Sequence, residues 1–522
     1  MIEITGQRLT IEEVVAVARQ GSQVAPLSKS IHSKMEVSRR WVEETIRQNK
    51  QAVYGVNTGV GPLSDHRISP HETRALSRNL VLSCASGVGD PLPSEIVRGM
   101  MLVRANTYAL SYSGVRPVMA ETLIEMINRD VSPFVPSKGS LGASGDVAPL
   151  AHIGLVMSCD PEGNDDYSGF AWYKGELVTG AEAMARAGIP RLVLEAKEGS
   201  SVINGTTFMV AAGAIALHDA ERLIQQAEIA AALSIEGLLG YSEAFDPIIH
   251  ATNGQPGQIE TAAHLRALLK GSQLVDSLHN RVQDAYSLRC TPQVIGPVRD
   301  ILAFIRQRIS AALNSSSDNP LIFPDLNVNG SFRSRLGGNF HGQGPAIWLD
   351  FLGIAVAELG GIAERRIFRL TVPELNQGLP SMLVTSNGLD SGLMVPQYTA
   401  AALVSDNKTL AHPDSVDSIP SSANVEDYVS MGANAARHTL EIIRNVRYII
   451  AIELMTASQA IELRPDGPKR LGCGTRAAYE QVRKLVRFLE HDRALTPDIE
   501  VLSELLASGE LLDRVQAALN GC

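Results

Sequence analysis

Residues 139–150 read Gly-Ser-Leu-Gly-Ala-Ser-Gly-Asp-Val-Ala-Pro-Leu. The stretch places Ala143, Ser144 and Gly145 between a further glycine and an aspartate, a composition that favours neither helix nor strand. A requirement other than secondary structure therefore keeps the side chains small at these three positions.

A sharp backbone bend here would permit an intramolecular reaction. The amide nitrogen of Gly145 could attack the carbonyl carbon of Ala143, and loss of water from the ring and from Ser144 would leave a five-membered electrophile with an exocyclic methylene. Glycine offers an unhindered nitrogen and permissive dihedrals, alanine keeps the carbonyl open, and serine supplies the leaving hydroxyl. Asp146 could orient the serine or its leaving water.

Two other structures compete for these residues. A plain Gly/Ser turn uses the same residue types for their dihedral tolerance. A serine-hydrolase elbow needs glycine two residues after the serine, but Asp146 occupies that position, so the elbow is excluded. The longer string around Ser144 favours the cyclisation over a bare turn.

The string Gly142-Ala143-Ser144-Gly145-Asp146, followed by Ala148-Pro149-Leu150, resembles the cofactor segment of the histidine and aromatic amino-acid ammonia-lyases and 2,3-aminomutases. The resemblance covers roughly residues 1–515 and is closest to bacterial histidine ammonia-lyases, with Val147 where leucine is usual. It implies that Ala143-Ser144-Gly145 forms a 4-methylidene-imidazol-5-one autocatalytically, without a dissociable cofactor.

The composition predicts a mainly α fold. Of 522 residues, 45% are hydrophobic but only 5% are aromatic, a balance that suits packed helices rather than sheets. With the resemblance, this predicts a long-helix bundle of the aromatic amino-acid lyase type and a small N-terminal lobe that carries the prosthetic group. The lobe is expected over residues 1–200, and the bundle with the C-terminal helices over 201–522, as one continuous enzyme.

Sequence patterns also predict individual elements. Long helices are expected over about 207–239, 346–369 and 433–463, whereas the polar segment 244–283 is expected to be loop.

Net charge and cysteine content limit the kinds of partner and cofactor that this chain is expected to bind. The net charge of -10, without a basic stripe or tail, argues against nucleic acid or an anionic membrane. We find no signal peptide and no apolar run that approaches about 18 residues. The five cysteines are scattered, so neither a disulfide framework nor a metal site is implied. We expect a cytoplasmic enzyme that needs no metal and acts on a small-molecule amino acid.

Tyr54 lies in the segment 53–62, whose glycines, asparagine and proline predict a loop. The segment matches the family's Tyr-Gly-Val-Asn-Thr-Gly motif, in which the tyrosine lies on a mobile lid and removes the β-proton of the substrate. A packing role is the alternative for a lone tyrosine before glycine.

Tyr286 and Arg289 are three residues apart and would share one face of a helix. The resemblance implies that Arg289 binds the substrate carboxylate, for which a bidentate guanidinium suits better than lysine. It implies that Tyr286 supports the prosthetic group and the migrating proton, that Gln283 lies near the ring, and that Asn204 contacts the prosthetic ring and the substrate carboxylate. A surface stacking pair and an Asn-Gly turn or cap are the structural alternatives.

The resemblance places three further residues, Cys84, Phe340 and Glu426, around the substrate. Phe340 would form part of the pocket near the prosthetic group, and the Glu426 carboxylate would pair with an imidazole or an amino group; a solvated loop carboxylate is the alternative. Three positions depart from histidine lyases: Cys84 replaces the histidine of a Ser-His pair, Val425 replaces a glutamine and Tyr428 replaces a histidine. These departures predict an altered ring pocket.

Together these residues predict an ammonia-lyase that eliminates ammonia from an L-amino acid, with histidine as first choice, to give a trans-α,β-unsaturated acid such as urocanate. The alternatives are a tyrosine or phenylalanine ammonia-lyase, or an aromatic 2,3-aminomutase whose closed lid retains ammonia. A helical scaffold that has lost catalysis is the non-enzymatic alternative. The resemblance also implies a homotetramer with active sites shared between subunits.

Overall fold

The computed structural model describes residues 1–164, 167–323, 334–386 and 388–522. Within these residues the chain is mainly helical, which confirms the predicted fold class. The first ten helices are α1 (Ile11–Gln20), α2 (Lys29–Gln48), α3 (Thr73–Cys84), α4 (Ser94–Ala109), α5 (Pro117–Asn128), α6 (Val147–Met157), α7 (Gly180–Arg186), α8 (Glu198–Ile203), α9 (Thr207–Gly237) and α10 (Pro247–Asn253). The others are α11 (Pro256–Leu268), α12 (Tyr286–Arg289), α13 (Thr291–Leu313), α14 (Gln343–Thr371), α15 (Met394–Leu410), α16 (Gly432–Glu462), α17 (Cys473–Leu485), α18 (Thr496–Ser508) and α19 (Glu510–Gly521).

The described residues also contain short strands, in four small sheets. The strands are β1 (Val88–Pro91), β2 (Val131–Pro133), β3 (Pro136–Lys138), β4 (Ser158–Cys159), β5 (Phe170–Tyr173), β6 (Glu176–Thr179), β7 (Leu192–Val193), β8 (Leu321–Ile322) and β9 (Ser334–Arg335). β1 pairs with β3, β2 with β5, β5 with β6 and β8 with β9, all antiparallel, whereas β4 and β7 are parallel.

The chain divides into two compact units, and the division falls inside α9, α13, α14 and α16. The first unit comprises residues 1–218, 306–350 and 413–437, and the second comprises 219–305, 351–412 and 438–522. The predicted separation of a lobe over 1–200 from a bundle over 201–522 remains a prediction.

In the first unit, close helix packing positions the residues before α9. α4 packs against α1 and α5 and is buried along most of its length. α8 packs against α3 and α6, and a Cβ added at Gly199 would lie 2.3 Å from the carbonyl oxygen of Ser77, so glycine allows this approach. The packing holds Cys84, at the end of α3, and Asn204, directly after α8, on a rigid scaffold.

The long helices predicted from sequence are present as α9, α14 and α16. The predicted loop over 244–283 is wrong in part, because α10 and α11 lie there. Asp246 caps α10 by accepting from the Ile248 amide, and polar His250 and Gln258 are buried, so no apolar periodicity revealed these helices.

Helix α14 corrects the expectation about apolar runs. Among the described residues it is the one helix long and apolar enough to cross a membrane, by length and composition only. In its most apolar window 56% of the residues are buried within the protein, as in the core helix of many proteins without a membrane span.

A disulfide joins Cys473, at the start of α17, to Cys522, although no disulfide was expected. Packing of α17 against α19 brings together two cysteines that are 49 residues apart in sequence. Cys84, Cys159 and Cys290 are free. Over the described residues, no group of three or more His, Cys, Asp or Glu side chains is arranged to hold a metal ion.

Candidate active site

Ala143, Ser144 and Gly145 lie in a tight bend just before α6. Gly145 has φ of +77°, and a Cβ there would lie 2.2 Å from the carbonyl carbon of Gly205, so both the conformation and the space require glycine. The Gly205 amide donates to the carbonyl of Ser144 at 3.0 Å, and the Asp146 amide donates to the carbonyl of Gly205 at 2.7 Å. The bend is therefore locked to the backbone that leads into α9.

A second segment holds the other side of the bend. The Met431 amide donates to the carbonyl of Leu141 at 2.8 Å, and the Ser430 hydroxyl donates to the carbonyl of Gly142 at 3.1 Å. Ala143 packs with Val429 and Met431 in a small buried cluster. Contacts on both sides thus hold the three-residue segment in its bend.

Asp146 is fully buried, and it caps α9. Its Oδ2 accepts from the amides of Phe208 at 2.7 Å and Met209 at 3.1 Å, while Oδ1 has no hydrogen-bond partner. Burial raises the pKa of this carboxyl to about 7, and the two amide hydrogen bonds oppose the rise. The Ser144 hydroxyl bonds to Glu426 and not to Asp146, so the expectation that Asp146 orients the serine is wrong, whereas its role toward the leaving water remains a prediction.

Glu426 takes that position instead. The Ser144 hydroxyl donates to Glu426 Oε1 at 3.0 Å, and the Ser421 hydroxyl lies 3.3 Å from the other carboxylate oxygen. The half-buried Cys84 lies close enough to sense the same carboxylate. Burial raises the pKa of its thiol, a contact with Ser83 opposes the rise, and the charge of Glu426 adds to it. The Ser144 hydroxyl is therefore in direct contact with the Glu426 carboxylate, and the roles of Cys84, Ser144 and Glu426 toward the substrate remain predictions.

Tyr54 lies in the predicted loop and is half-buried. Its hydroxyl oxygen accepts from the amide of Gly61 at 3.1 Å. The 3-10 turn Gly61–Leu63 packs against the turn Ser422–Asn424, which ends two residues before Glu426. The segment that carries Tyr54 thus contacts the segment that carries Glu426.

Asn204 and Phe340 belong to the same unit. Asn204 is buried, its Nδ2 donates to the carbonyl of Asn319 at 3.3 Å, and its Oδ1 has no hydrogen-bond partner. Phe340 is half-buried, and two residues later the Gly342 amide donates to the carbonyl of Gly142 at 3.3 Å. Asn204 therefore directly precedes Gly205, whose amide bonds to the bend, and Phe340 lies two residues before Gly342, whose amide bonds to the residue before the bend.

Gln283, Tyr286 and Arg289 belong to the second unit. Gln283 is exposed, and so is Tyr286, with 70% of its surface accessible. The Arg289 guanidinium lies over the Tyr286 ring, 4.6 Å from its centre, and its Nε donates to the carbonyl of Asp284 at 2.9 Å. The predicted sharing of a helix face is confirmed, while the roles of the three residues remain predictions.

Sequence reasoning missed one charged residue, Lys197. It forms an ion pair with Asp318, with 3.1 Å between Nζ and Oδ1, and both side chains are fully buried. Burial lowers the pKa of the Lys197 ammonium, and the charge of Asp318 opposes the fall. The partners are 121 residues apart, so no local pattern separates this lysine from a surface lysine.

The site residues fit the prosthetic group that the resemblance implies. Space at Gly145 admits only glycine, and the hydroxyl that would leave from Ser144 has a carboxylate beside it. Two buried acceptors at the bend and beside it, Oδ1 of Asp146 and Oδ1 of Asn204, lack protein partners. Such a bend suits the cyclisation of Ala143, Ser144 and Gly145 that the resemblance implies.

Comparisons with known proteins identify the family. Residues 9–484 match the family model described as aromatic amino acid lyase. The histidine ammonia-lyase of Treponema denticola is 48% identical over 517 residues, which cover 99% of each chain. The histidine ammonia-lyase of Caldanaerobacter subterraneus is 49% identical over 511 residues, which cover 98% of this chain and 97% of the relative.

Solved structures agree. Histidine ammonia-lyase from Trypanosoma cruzi superposes with a TM-score of 0.89 at 36% identity, over 99% of this chain and 95% of that one. Tyrosine aminomutase from Streptomyces globisporus superposes with a TM-score of 0.90 at 35% identity, over 99% and 98% of the two chains. The chain belongs to the aromatic amino acid lyase family, so its predicted family and enzyme class, a carbon-nitrogen lyase, are confirmed. Enzymes of this family use a methylidene-imidazolone group and act on amino acids.

Proposed function

We propose that this enzyme is a histidine ammonia-lyase that converts L-histidine to trans-urocanate and ammonia. Relatives named histidine ammonia-lyase are 45% to 49% identical to it over nearly the whole chain. The observation that carries the proposal is the Glu426 carboxylate, 3.0 Å from the Ser144 hydroxyl, because a carboxylate there can bind an imidazole or an amino group beside the reacting centre.

We propose that Ala143, Ser144 and Gly145 cyclise to 4-methylidene-imidazol-5-one. The tight bend, held by hydrogen bonds on both sides, the unpartnered Oδ1 of Asp146 and the close fit of Gly145 against Gly205 support this assignment. The group, once formed, supplies an electrophile that makes the substrate amine a better leaving group.

The remaining roles belong to side chains of the chain itself. Tyr54 removes the β-proton as general base, and the Gly61 amide holds its oxygen in place. Arg289 binds the substrate carboxylate through two parallel N–H groups, and the ring of Tyr286 orients its guanidinium. Positioning of both ends of the substrate lowers the entropic part of the barrier.

The pocket and the assembly complete the proposal. We assign Phe340, Cys84 and Gln283 to binding of the substrate ring, and Asn204 to contact with the substrate beside the prosthetic group. We propose a homotetramer with shared active sites, which the exposure of Tyr286 and of the apolar α14 residues Ile347, Phe351 and Ile354 supports. The cytoplasmic location stays a prediction.

Cys84 favours a second candidate, an aryl amino-acid lyase or 2,3-aminomutase. A thiol is a weak hydrogen-bond donor, so the ring pocket offers less to an imidazole at this position than a histidine would. Tyr428, two residues after Glu426, has its ring stacked on that of His341, with 6.1 Å between the ring centres. An uncharged aromatic substrate would use such a pocket without a polar partner for its ring.

Parallel progress curves separate the candidates. L-Histidine, L-tyrosine and L-phenylalanine are incubated with the enzyme, the conjugated acid is followed by ultraviolet absorbance, and β-amino acids are sought by chromatography. Ser144→Ala serves as the control without the prosthetic group. A rise with histidine alone supports the proposal, a rise with an aryl amino acid alone replaces it with the second candidate, and a β-amino product without release of ammonia identifies a mutase.

A further inference from the structure

A buried polar network lies beneath Asn204 in the first unit. Lys197 Nζ lies 3.1 Å from both carboxylate oxygens of Asp318. The same ammonium donates to the Ser201 hydroxyl at 2.7 Å, and that hydroxyl donates to Asp318 Oδ2 at 2.8 Å. Lys197 also adopts φ of +74°, which a non-glycine residue keeps only where its surroundings compensate for the strain.

Every neighbour of the Asp318 carboxylate in this network is a donor. Besides Lys197 and Ser201, the Asn319 amide donates to Oδ1 at 2.6 Å. The Asn204 Nδ2 group adds a longer contact to the same oxygen at 3.5 Å. A carboxylate without a proton can only accept hydrogen bonds, so the group of Asn204 that faces Oδ1 is its N–H donor.

The orientation of the Asn204 amide follows from its two neighbours. Nδ2 faces Asp318 Oδ1 and the carbonyl oxygen of Asn319, and neither of these atoms can donate a hydrogen bond. A flipped amide would set its oxygen against two acceptors. The assignment of nitrogen and oxygen, which side-chain shape alone leaves open, is therefore decided by the network.

The other end of the amide is an acceptor without a partner. Oδ1 of Asn204 is buried and makes no hydrogen bond. The next residue, Gly205, donates to the carbonyl of Ser144 at 3.0 Å, so this acceptor is one residue from backbone that is bonded to the bend. A buried acceptor in that position calls for a donor in the working enzyme.

We propose that Lys197 and Asp318 are positioning residues that fix Asn204 with Oδ1 as the acceptor for the substrate amino group. The inference rests on the proposed function, and it changes one predicted role, because Asn204 then binds the amine rather than the carboxylate. An ionised carboxylate has no proton to donate to Oδ1, whereas an amino group offers N–H donors. Arg289 alone then binds the carboxylate of the substrate.

Two half-substrates test the proposal. Histamine keeps the ring and the amine of histidine without the carboxylate, and 3-(imidazol-4-yl)propanoate keeps the ring and the carboxylate without the amine. Their inhibition constants are measured for the full-length enzyme and for Lys197→Met/Asp318→Leu. The double variant removes both charges together with the carboxylate that accepts from Asn204 Nδ2. We expect histamine to bind at least about tenfold more weakly and imidazolylpropanoate to change less than about twofold.

Three variants separate positioning from folding. Arg299→Met/Glu228→Leu removes a largely buried ion pair of the second unit whose other partners, Glu260, Thr261 and His264, lie outside the proposed site. This variant is expected to leave the ratio of the two inhibition constants unchanged. Lys197→Arg keeps the cation, so the ratio of the two inhibition constants is expected to stay at the wild-type value. If the double variant does not fold, Asn204→Ala removes the acceptor without exposing a buried charge and should weaken histamine alone.

The opposite pattern, with imidazolylpropanoate weakened and histamine unchanged, overturns the proposal, and so does an equal change for both or no change for either. If wild-type enzyme binds neither compound, the histidine function fails. The same measurement is then made with the amine and the propanoate that match the amino acid which the enzyme turns over. A changed ratio there still supports the role of Asn204, and an unchanged ratio overturns it.

Discussion

Two wholly buried ion pairs, one in each unit, differ in what surrounds them. Arg366 and Glu453 meet through two hydrogen bonds of 2.5 and 3.0 Å, and the Ser234 hydroxyl donates to the same carboxylate at 2.7 Å. Lys197 and Asp318 are equally buried, but their network continues to Asn204.

The difference lies in where the hydrogen bonds end. The hydrogen bonds of Arg366 and Glu453 end on helix groups that have partners, the Ser234 hydroxyl and the carbonyl of Ser287 in α12. The chain from Lys197 instead ends at an acceptor, Oδ1 of Asn204, without a partner. Desolvation penalises both pairs, so burial of an ion pair does not by itself show that the pair stabilises the fold. A buried network that leads to an unpaired atom indicates binding, and one that ends within the helices indicates structure.

The largest effect is expected at the bend itself. Gly145→Ala adds a Cβ that would meet the Gly205 carbonyl at 2.2 Å, so the segment can neither keep its bend nor close a ring. We expect activity to fall to background and the intact mass to lack the loss of two water molecules. Gly175→Ala is the matched control, because Gly175 has φ of +84° with no atom within 4 Å of the added Cβ. Normal mass loss and normal activity in Gly145→Ala would show that the bend of the first unit is not the catalytic centre.

The second-largest effect is expected when one partner of either buried ion pair is removed. Asp318→Leu and Glu453→Leu each leave a buried cation uncompensated, and each should lower the free energy of unfolding by about 3–5 kcal/mol. Urea denaturation measures the loss. A cost below about 1 kcal/mol at either position would mean that water or another anion reaches the remaining cation.

A buried acid of the second unit should make stability depend on pH. Burial raises the pKa of Glu236 from 4.5 to about 7, and its Oε1 accepts from the Gly472 amide at 2.8 Å. The folded state holds this proton more tightly than the unfolded chain does. Its stabilising contribution is therefore complete below pH of about 4.5 and is lost as the pH rises through about 7, by at most about 1.4 kcal/mol per pH unit.

Glu236→Gln keeps the acceptor and removes the titration. Relative to wild type, the variant should gain stability between pH 5 and pH 8, measured as the difference in urea midpoints. Asp146 has a pKa raised in the same direction, so the difference between the two proteins, rather than either curve alone, reports on Glu236. Parallel curves over this range would show that Glu236 is ionised in the folded protein.

The smallest effect is expected when both members of the second pair are replaced. Arg366→Met/Glu453→Leu leaves no unpaired charge, and well-packed apolar side chains there should keep the free energy of unfolding within about 1 kcal/mol of wild type, or raise it. The Ser234 hydroxyl loses its acceptor, which sets the lower limit. A loss as large as that of Glu453→Leu alone would show that the pair is itself a source of stability.

Much of the fold was predictable because it depends on local pattern. The long helices appear at the expected places, and Tyr286 and Arg289 share a helix face as their spacing required. The helices within 244–283 were not predictable, because buried polar residues such as His250 interrupt the apolar period. The disulfide between Cys473 and Cys522 depends on the packing of two helices, which no cysteine spacing revealed.

The sequence by itself determined the proposed chemistry of the site, because a cyclising segment must consist of adjacent residues, and Ala143-Ser144-Gly145 is the segment that we propose to cyclise. Only the tertiary structure decided which distant groups serve it. Glu426 rather than Asp146 bonds the Ser144 hydroxyl, and Asp318 sets the direction of the Asn204 amide. Hydrogen bonds and ion pairs act over about 3 Å in space, and the distance between their partners along the chain leaves no local trace.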